Sequence, residues 1–174
     1  MNSRVSVCFL DASKAFDRIN HTKLFEKLRK RGICGYLLRI IVYWYETQTM
    51  CVRWGNLTSN SFTVNNGVRQ GGILSPRLFA IYIDDLSTAL NGLGIGCCIN
   101  NMLINHLMYA DDMVLIAPAT AALQLMLKEC HKFGITHDML FNPKKSAVMI
   151  FKNKNAIELN TQPFVLNNVN IPVV

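Results

Sequence analysis

The sequence predicts an α+β fold in which helices pack on one face of a mostly antiparallel sheet. Stretches of alternating apolar residues, typical of strands, are interspersed with segments whose apolar residues have helical spacing. The two kinds of segment do not alternate strictly, as they would in a parallel βαβ sheet. The 174 residues, 51% of them hydrophobic and 17% charged, are enough for one domain and too apolar for a disordered chain.

The first third of the chain predicts a strand followed by two helices. Residues 5–10 alternate as a strand does, so Asp11 lies at its end. Asn20 or Thr22 is a suitable N-cap for a helix that ends near Gly32, and residues 36–47 predict a second, apolar helix.

The middle of the chain predicts a hairpin and a third helix. Residues 50–54 and 61–64 favour strands, with turn-forming glycine and asparagine residues around them. Ser75 followed by Pro76 is a typical helix start, and the helical pattern continues to about Leu90.

The last third predicts a second hairpin, a helix and a final strand. Residues 102–110 and 113–117 are apolar and are separated only by an Asp-Asp pair, which we expect at the tip of the hairpin. Residues 120–133 predict a helix and residues 147–151 a strand. Residues 170–174 form an apolar edge for which the sequence shows no closing element, and both ends of the chain look cut.

Charge and cysteine content limit the partners and the compartment. The chain has 18 Lys and Arg against 11 Asp and Glu, and a net charge of +7 favours a polyanionic partner. The six cysteines form no C-x-x-C, and most have apolar neighbours, so we expect buried thiols in an intracellular protein of the nucleus or cytoplasm. Residues 35–45 are interrupted by Arg39 and are shorter than the roughly 20 residues that span a bilayer, so we expect no membrane association.

Asp111 and Asp112 are the first candidates for chemistry. No Lys or Arg occurs between Leu78 and Leu127, so these carboxylates have no local basic partner. A polar two-residue turn is one interpretation; a divalent-cation site is the other, since adjacent like charges repel and bring a turn no advantage.

The segment Tyr82 to Asp85 also ends in an Asp-Asp pair, but the sequence predicts a helix there. Leu78, Tyr82 and Leu86 share one stripe of a predicted helix, which leaves Asp84 and Asp85 facing solvent.

Four segments together resemble the motifs of reverse transcriptases, in the family's order. They are residues 9–17 (FLDASKAFD), 69–76 (RQGGILSP), 109–112 (YADD) and 142–146 (NPKKS). The resemblance is closest to the non-LTR, LINE-type retrotransposon group and covers roughly residues 5–151. One departure is Gly72-Ile73, where the family often has Cys-Pro.

The resemblance implies a polymerase palm with part of the fingers over residues 1–174. It implies an RNA-directed DNA polymerase that uses an RNA template, a DNA primer and deoxynucleoside triphosphates, and that is part of a larger polyprotein. Because the thumb and upstream fingers would be incomplete, we expect this fragment alone to be weak or inactive.

The resemblance also assigns the catalytic residues. Asp11, Asp111 and Asp112 correspond to the carboxylates that bind two Mg²⁺ ions, or Mn²⁺ as a substitute, with Asp111 a firmer ligand than Asp112. Lys145 corresponds to a lysine near the triphosphate that acts as a general acid; a solvated lysine is the alternative.

Four further residues correspond to the family's nucleotide-binding positions. Phe16 corresponds to an aromatic residue that blocks a ribose 2′-hydroxyl, although a core aromatic is the alternative. Arg69, Gln70 and Gly71 correspond to a segment that contacts the nucleotide and template, although a glycine turn before a helix is common.

Two other functions compete with the polymerase. One is a noncatalytic nucleic-acid-binding remnant, which would keep only salt-dependent binding by basic clusters. The other is a metal-dependent phosphodiesterase that uses the same three carboxylates. The candidate basic clusters are Arg29-Lys30-Arg31, Lys144-Lys145 and Lys152 with Lys154.

Overall fold

A computed structural model describes residues 4–152 and 163–174. The helices in this part are α1 (His21–Lys30), α2 (Gly35–Glu46), α3 (Ser75–Gly92) and α4 (Thr120–His137), with a short 3₁₀ turn at Phe16–Arg18. The strands are β1 (Val5–Ser13), β2 (Thr49–Met50), β3 (Arg53–Trp54), β4 (Leu57–Thr58), β5 (Phe62–Thr63), β6 (Cys97–Ile99), β7 (Met102–Ile104), β8 (His106–Tyr109), β9 (Asp112–Ala117), β10 (Leu140–Phe141), β11 (Ala147–Phe151), β12 (Phe164–Leu166) and β13 (Val169–Ile171).

The chain forms two compact units. The sheet unit consists of Met1–Ala15 and Ile83–Val174, and the helical unit of Phe16–Tyr82. The helix α3 begins in the helical unit and ends in the sheet unit.

The sheet unit is built on β1, which pairs on one edge with β9 and on the other with both β10 and β11. All these pairings, and that of β8 with β9, are antiparallel. Along β1, Cys8, Leu10 and Ala12 are buried, whereas Phe9 is 47% exposed. The alternation follows from the strand's period of two, and it puts Asp11 on the same face as Phe9, as the sequence predicts.

The sequence does not predict β6, β10, β12 or β13, which contain only two or three residues each, too few to show a period. Residues 102–110, predicted as one strand, form two: β7 ends at Ile104 and β8 begins at His106. The predicted absence of a closing element near the C-terminus is wrong. The β12–β13 hairpin buries Ile171, and Val148 of β11 donates a backbone hydrogen bond to Pro172 at 2.9 Å.

The helical unit begins as predicted. Asn20 caps α1, because its side-chain oxygen accepts from the Lys23 N–H at 3.1 Å. The predicted hairpin forms as two short antiparallel pairs, β2 with β5 and β3 with β4. In α2 only Tyr45 is buried, so this apolar helix is largely exposed.

The prediction that most cysteines are buried is wrong. Cys8 and Cys130 are buried, whereas Cys34, Cys51 and Cys98 are exposed, because hydrophobic neighbours in sequence do not ensure a place in the core. Burial raises the pKa of the Cys8 thiol to about 12. No helix of the described residues is long and apolar enough to cross a membrane.

Candidate active site

The pairing of β1 with β9 brings two of the three candidate catalytic aspartates side by side. Asp11 lies directly opposite Asp112 in the antiparallel register. Residues directly opposite in such a pair project from the same face, with Cα atoms about 4.5–5.5 Å apart. The two carboxylates therefore share one face of the sheet beside the β8–β9 turn.

Asp111 lies in the turn itself. Because Tyr109 pairs with Asp112, the turn contains only Ala110 and Asp111, and Ala110 takes a left-handed φ of 52°. The prediction that both aspartates form the tip is therefore wrong: Asp112 is the first residue of β9. Both aspartates are exposed.

The electrostatics of this pair suit a cation. Within the described part of the chain, no basic side chain forms an ion pair with Asp11, Asp111 or Asp112. Two like charges on opposite residues of a sheet repel, and carboxylate oxygens are the ligands that Mg²⁺ and Mn²⁺ prefer. In residues 4–152 and 163–174, however, no three His, Cys, Asp or Glu side chains are close enough together to hold a metal ion. The structure brings together a carboxylate pair, with the third carboxylate next to it in sequence.

The loop of residues 142–146 contacts the backbone of Asp11. The Asn142 N–H donates to the Asp11 carbonyl at 2.9 Å, and the Asp11 N–H donates to Ser146 Oγ at 3.1 Å. Lys145, the predicted general acid, lies in this loop and is exposed, as is Lys144. Ser146 ends the 142–146 motif, but sequence reasoning does not name it as a site residue, because residue type does not reveal a contact with a distant backbone.

The other predicted binding residues lie in the helical unit. Phe16 begins the 3₁₀ turn, is partly buried, and stacks on Phe79 with ring centroids 4.8 Å apart and an interplanar angle of 11°. The Gln70 amide donates to Asp17 Oδ1 at 3.1 Å. This hydrogen bond joins the end of the 9–17 motif to the 69–76 motif.

Backbone contacts reinforce this junction. The Val68 N–H donates to the Phe16 carbonyl at 2.8 Å, and the Gly67 N–H donates to the Ile19 carbonyl at 2.7 Å. A Cβ on Gly67 would lie 2.9 Å from the Asp17 Cα. Only glycine fits there, a role that the turn-like sequence around Gly67 does not reveal.

Arg69 and Gly71 form the turn that leads into α3. The Arg69 carbonyl accepts from the Gly72 N–H at 3.0 Å and from the buried Ser75 hydroxyl. Gly71 has a φ of 78°, and a Cβ at this position would have no neighbour within 4 Å, so this side of the turn is open. Arg69, Gln70 and Gly71 are all exposed.

Asp84, Asp85 and His106 are polar residues outside the candidate site. Asp84 and Asp85 are exposed on α3, as the sequence predicts. The His106 ring contacts the Ser87 hydroxyl at 2.8 Å and the Asn105 amide oxygen at 2.7 Å, and burial lowers the His106 pKa. Lys154 of the third basic cluster lies outside the described residues.

Comparison with known proteins identifies the family. The family model described as "Reverse transcriptase (RNA-dependent DNA polymerase)" matches residues 1–164. The Pol polyprotein of the type-2 retrotransposable element R2DM of Drosophila melanogaster is 30% identical over 94% of this chain and 16% of its own length. A Pol polyprotein of the type-1 element R2 of Popillia japonica is 30% identical over 97% of this chain and 24% of its own length.

A third relative belongs to another element. The RNA-directed DNA polymerase from mobile element jockey of Drosophila funebris is 31% identical over 84% of this chain and 16% of its own length. The chain thus spans between 16% and 24% of the length of these three relatives.

Solved structures show the same fold at low sequence identity. Telomerase from Candida tropicalis in complex with the TWJ fragment of telomeric RNA gives a TM-score of 0.67 at 14% identity, covering 88% of this chain and 26% of the telomerase chain. The apo form of that telomerase truncated from its C-terminal domain gives 0.62 at 16% identity, covering 94% and 33%. The expected palm-like α+β fold is confirmed by this likeness. On the family match over residues 1–164, the chain belongs to the reverse transcriptase family, and its relatives are the enzymes of the R2 and jockey non-LTR retrotransposons.

Proposed function

We propose that this chain is the palm, with part of the fingers, of an RNA-directed DNA polymerase that extends a DNA primer along an RNA template. The observation that carries the proposal is the placement of Asp11 opposite Asp112 on neighbouring strands with no basic partner in the described residues. Enzymes of this family are metal-dependent, and a pair of neighbouring carboxylates suits a divalent cation.

Asp11 and Asp112, together with Asp111 in the adjoining turn, are the residues that would hold the metal. When held by these carboxylates, two Mg²⁺ ions, or Mn²⁺ in their place, would activate the primer 3′-hydroxyl and neutralise the charge of the leaving pyrophosphate. The exposure of Asp111 supports its recruitment, because an exposed side chain can change rotamer without disturbing the core.

Lys145 is the proton donor of the proposed reaction. The primer 3′-oxygen forms a bond to the α-phosphorus and gives its proton to solvent water, while the bond from that phosphorus to the pyrophosphate oxygen breaks. The pyrophosphate then takes a proton from the Lys145 ammonium group. The contacts of the 142–146 loop with the Asp11 backbone support this role, since they tie the lysine to the acidic site.

The helical unit supplies nucleotide selection in this proposal. Phe16 excludes a ribose 2′-hydroxyl, and its stacking on Phe79 supports this role because a fixed ring discriminates better than a mobile one. Gln70 contacts the incoming deoxynucleoside triphosphate, with Arg69 and Gly71 beside it. The bond from Gln70 to Asp17 supports a fixed amide there.

The proposed partners follow from charge and from the family. The RNA template and DNA primer match the net charge of +7, and contacts to their phosphates would be sensitive to salt. The protein would act inside the cell, in the nucleus or cytoplasm, as part of a larger polyprotein.

Primer extension by the purified 174-residue chain tests the proposal. An RNA template with an annealed DNA primer is incubated with the chain, deoxynucleoside triphosphates and Mg²⁺. We expect weak extension that needs Mg²⁺ and that is abolished in Asp112→Asn. Asp84→Asn is the matched control, because Asp84 precedes a second Asp in a similar sequence but lies exposed on α3, and it should keep the wild-type rate.

Two results would overturn parts of this proposal. If the folded chain extends no primer and binds no Mn²⁺ but still binds RNA in a salt-dependent manner, the noncatalytic binding remnant replaces the polymerase for this chain. If Asp84→Asn abolishes extension as Asp112→Asn does, the assignment of the site to β1 and β9 is wrong.

A further inference from the structure

On one edge of β1, the pairing with β10 and β11 is interrupted opposite Leu10 and Asp11. Ala12 pairs with Phe141 of β10, and Phe9 pairs with Ala147 of β11. Two residues of β1, Leu10 and Asp11, therefore face a five-residue loop, residues 142–146, so the facing chain contains three extra residues. Without another partner, the Asp11 N–H and carbonyl on this edge would lack their ladder hydrogen bonds.

The loop supplies both partners. The Asn142 N–H takes the place of one ladder donor at the Asp11 carbonyl, at 2.9 Å, and Ser146 Oγ accepts from the Asp11 N–H at 3.1 Å. The Ser146 hydroxyl in turn donates to the Asn142 carbonyl at 2.7 Å. One serine hydroxyl thus joins the two ends of the loop and the backbone of Asp11.

The same contacts fix the loop itself. The Asn142 carbonyl also accepts from the N–H groups of Lys145 and Ser146, at 3.2 and 3.0 Å, and the Asn142 side chain accepts from the Lys144 N–H at 3.1 Å. Ser146 is only 1% exposed, so water does not compete for its hydroxyl.

We infer that Ser146 is a positioning residue of the acidic site: its hydroxyl sets the backbone of Asp11, and with it the direction of the carboxylate that pairs with Asp112. This inference rests on the proposed function, because the carboxylate must hold a metal for its direction to matter. A hydrogen bond to the backbone beside a ligand acts as the outer contacts of metal ligands do, whose loss typically weakens metal binding about 10- to 100-fold.

Mn²⁺ binding to the full chain provides the test. Its affinity is measured by electron paramagnetic resonance of free Mn²⁺, together with hydrogen exchange of the Asp11 amide. We expect Ser146→Ala to weaken Mn²⁺ binding about 10-fold and to speed exchange of the Asp11 amide, and Ser146→Thr, which keeps the hydroxyl, to restore both.

Ser6→Ala is the matched control. Ser6 lies on β1 itself, is equally buried at 1% exposure, and its hydroxyl has no hydrogen-bond partner in the described residues. Its removal tests whether loss of a buried serine on the same strand is enough to alter the site, and we expect unchanged Mn²⁺ affinity.

Failure of the positioning role can be told apart from failure of the proposed function. If the wild-type chain binds Mn²⁺ and Ser146→Ala binds it equally well, the positioning role is wrong and the proposed function stands. If Ser146→Thr fails to restore what Ser146→Ala loses, the hydroxyl is not the cause and the inference is overturned. If the wild-type chain binds no Mn²⁺, the proposed metal site fails, and the inference fails with it.

Discussion

Gly67 provides a strong test of how the segments of Phe16 and Gln70 in the helical unit are held together. It has a φ of 88°, and an added Cβ would meet the Asp17 Cα at 2.9 Å and the carbonyl oxygens of Asp17 and Phe16 at 3.0 Å each. All three neighbours are backbone atoms, so none can rotate away. Gly67→Ala therefore forces the two segments apart.

The expected loss of folding stability in Gly67→Ala has two parts. An L-residue in the left-handed region is strained by about 1–2 kcal/mol, partly offset by the gain of roughly 0.4–1 kcal/mol that alanine brings by restricting the unfolded chain. Overpacking against fixed atoms adds about 1–3 kcal/mol. Gly32→Ala is the matched control, because Gly32 has a φ of 77° but nothing within 4 Å of its Cβ position. Gly32→Ala should show only the backbone strain and its offset, without the overpacking.

Urea unfolding, followed by tryptophan fluorescence and circular dichroism, measures the difference in stability between Gly67→Ala and Gly32→Ala. Both tryptophans, Trp44 and Trp54, lie in the helical unit. Because Trp54 is 83% exposed, the fluorescence change comes mainly from Trp44, and circular dichroism follows the helices. With a urea slope of about 2 kcal/mol/M, Gly67→Ala should unfold about 0.5–1.5 M urea earlier than Gly32→Ala. Equal midpoints for the two variants would refute the close approach of residues 16–17 to Gly67.

Three more predictions concern single polar side chains that are buried or partly buried. Ser6→Ala should raise the free energy of unfolding by about 1 kcal/mol in urea titrations, because it removes a buried hydroxyl that lacks a partner in the described residues. Thiol labelling of the native chain should modify exposed Cys34 and leave Cys8 unmodified, since burial and a pKa of about 12 keep that thiol protonated. Burial lowers the His106 pKa, so the unfolded chain binds this proton more tightly and stability falls as pH drops below about 6.5. Melting curves from pH 7.5 to 5.5 should show a smaller decline for His106→Gln; an equal decline would exclude His106 as its cause.

The sequence predicts the long elements well because their periods are visible. β1, α1, α3 and α4 each bury a regular set of apolar residues. Residue type limits the N-cap of α1 to Asn20 or Thr22, and the structure shows that Asn20 is the cap. The exposure of Asp84 and Asp85 also follows from a helical stripe.

What the sequence could not predict depends on pairing between distant segments. The register that sets Asp11 against Asp112 joins residues about a hundred positions apart, and a slip of one residue would put the carboxylates on opposite faces. Ser146 and Gly67 act through backbone contacts with such distant segments, which residue type does not indicate.

Paramagnetic broadening by Mn²⁺ would locate the metal site, which we propose lies at the paired ends of β1 and β9. Substoichiometric Mn²⁺ is added to isotopically labelled chain, and the amide signals are followed by NMR. We expect the signals of Asp11, Asp111 and Asp112 to broaden first and Asp112→Asn to remove this effect, while those of Asp84 and Asp85 on α3 remain sharp. Broadening that starts at Asp84 and Asp85, or that is unchanged in Asp112→Asn, would show that the metal binds elsewhere.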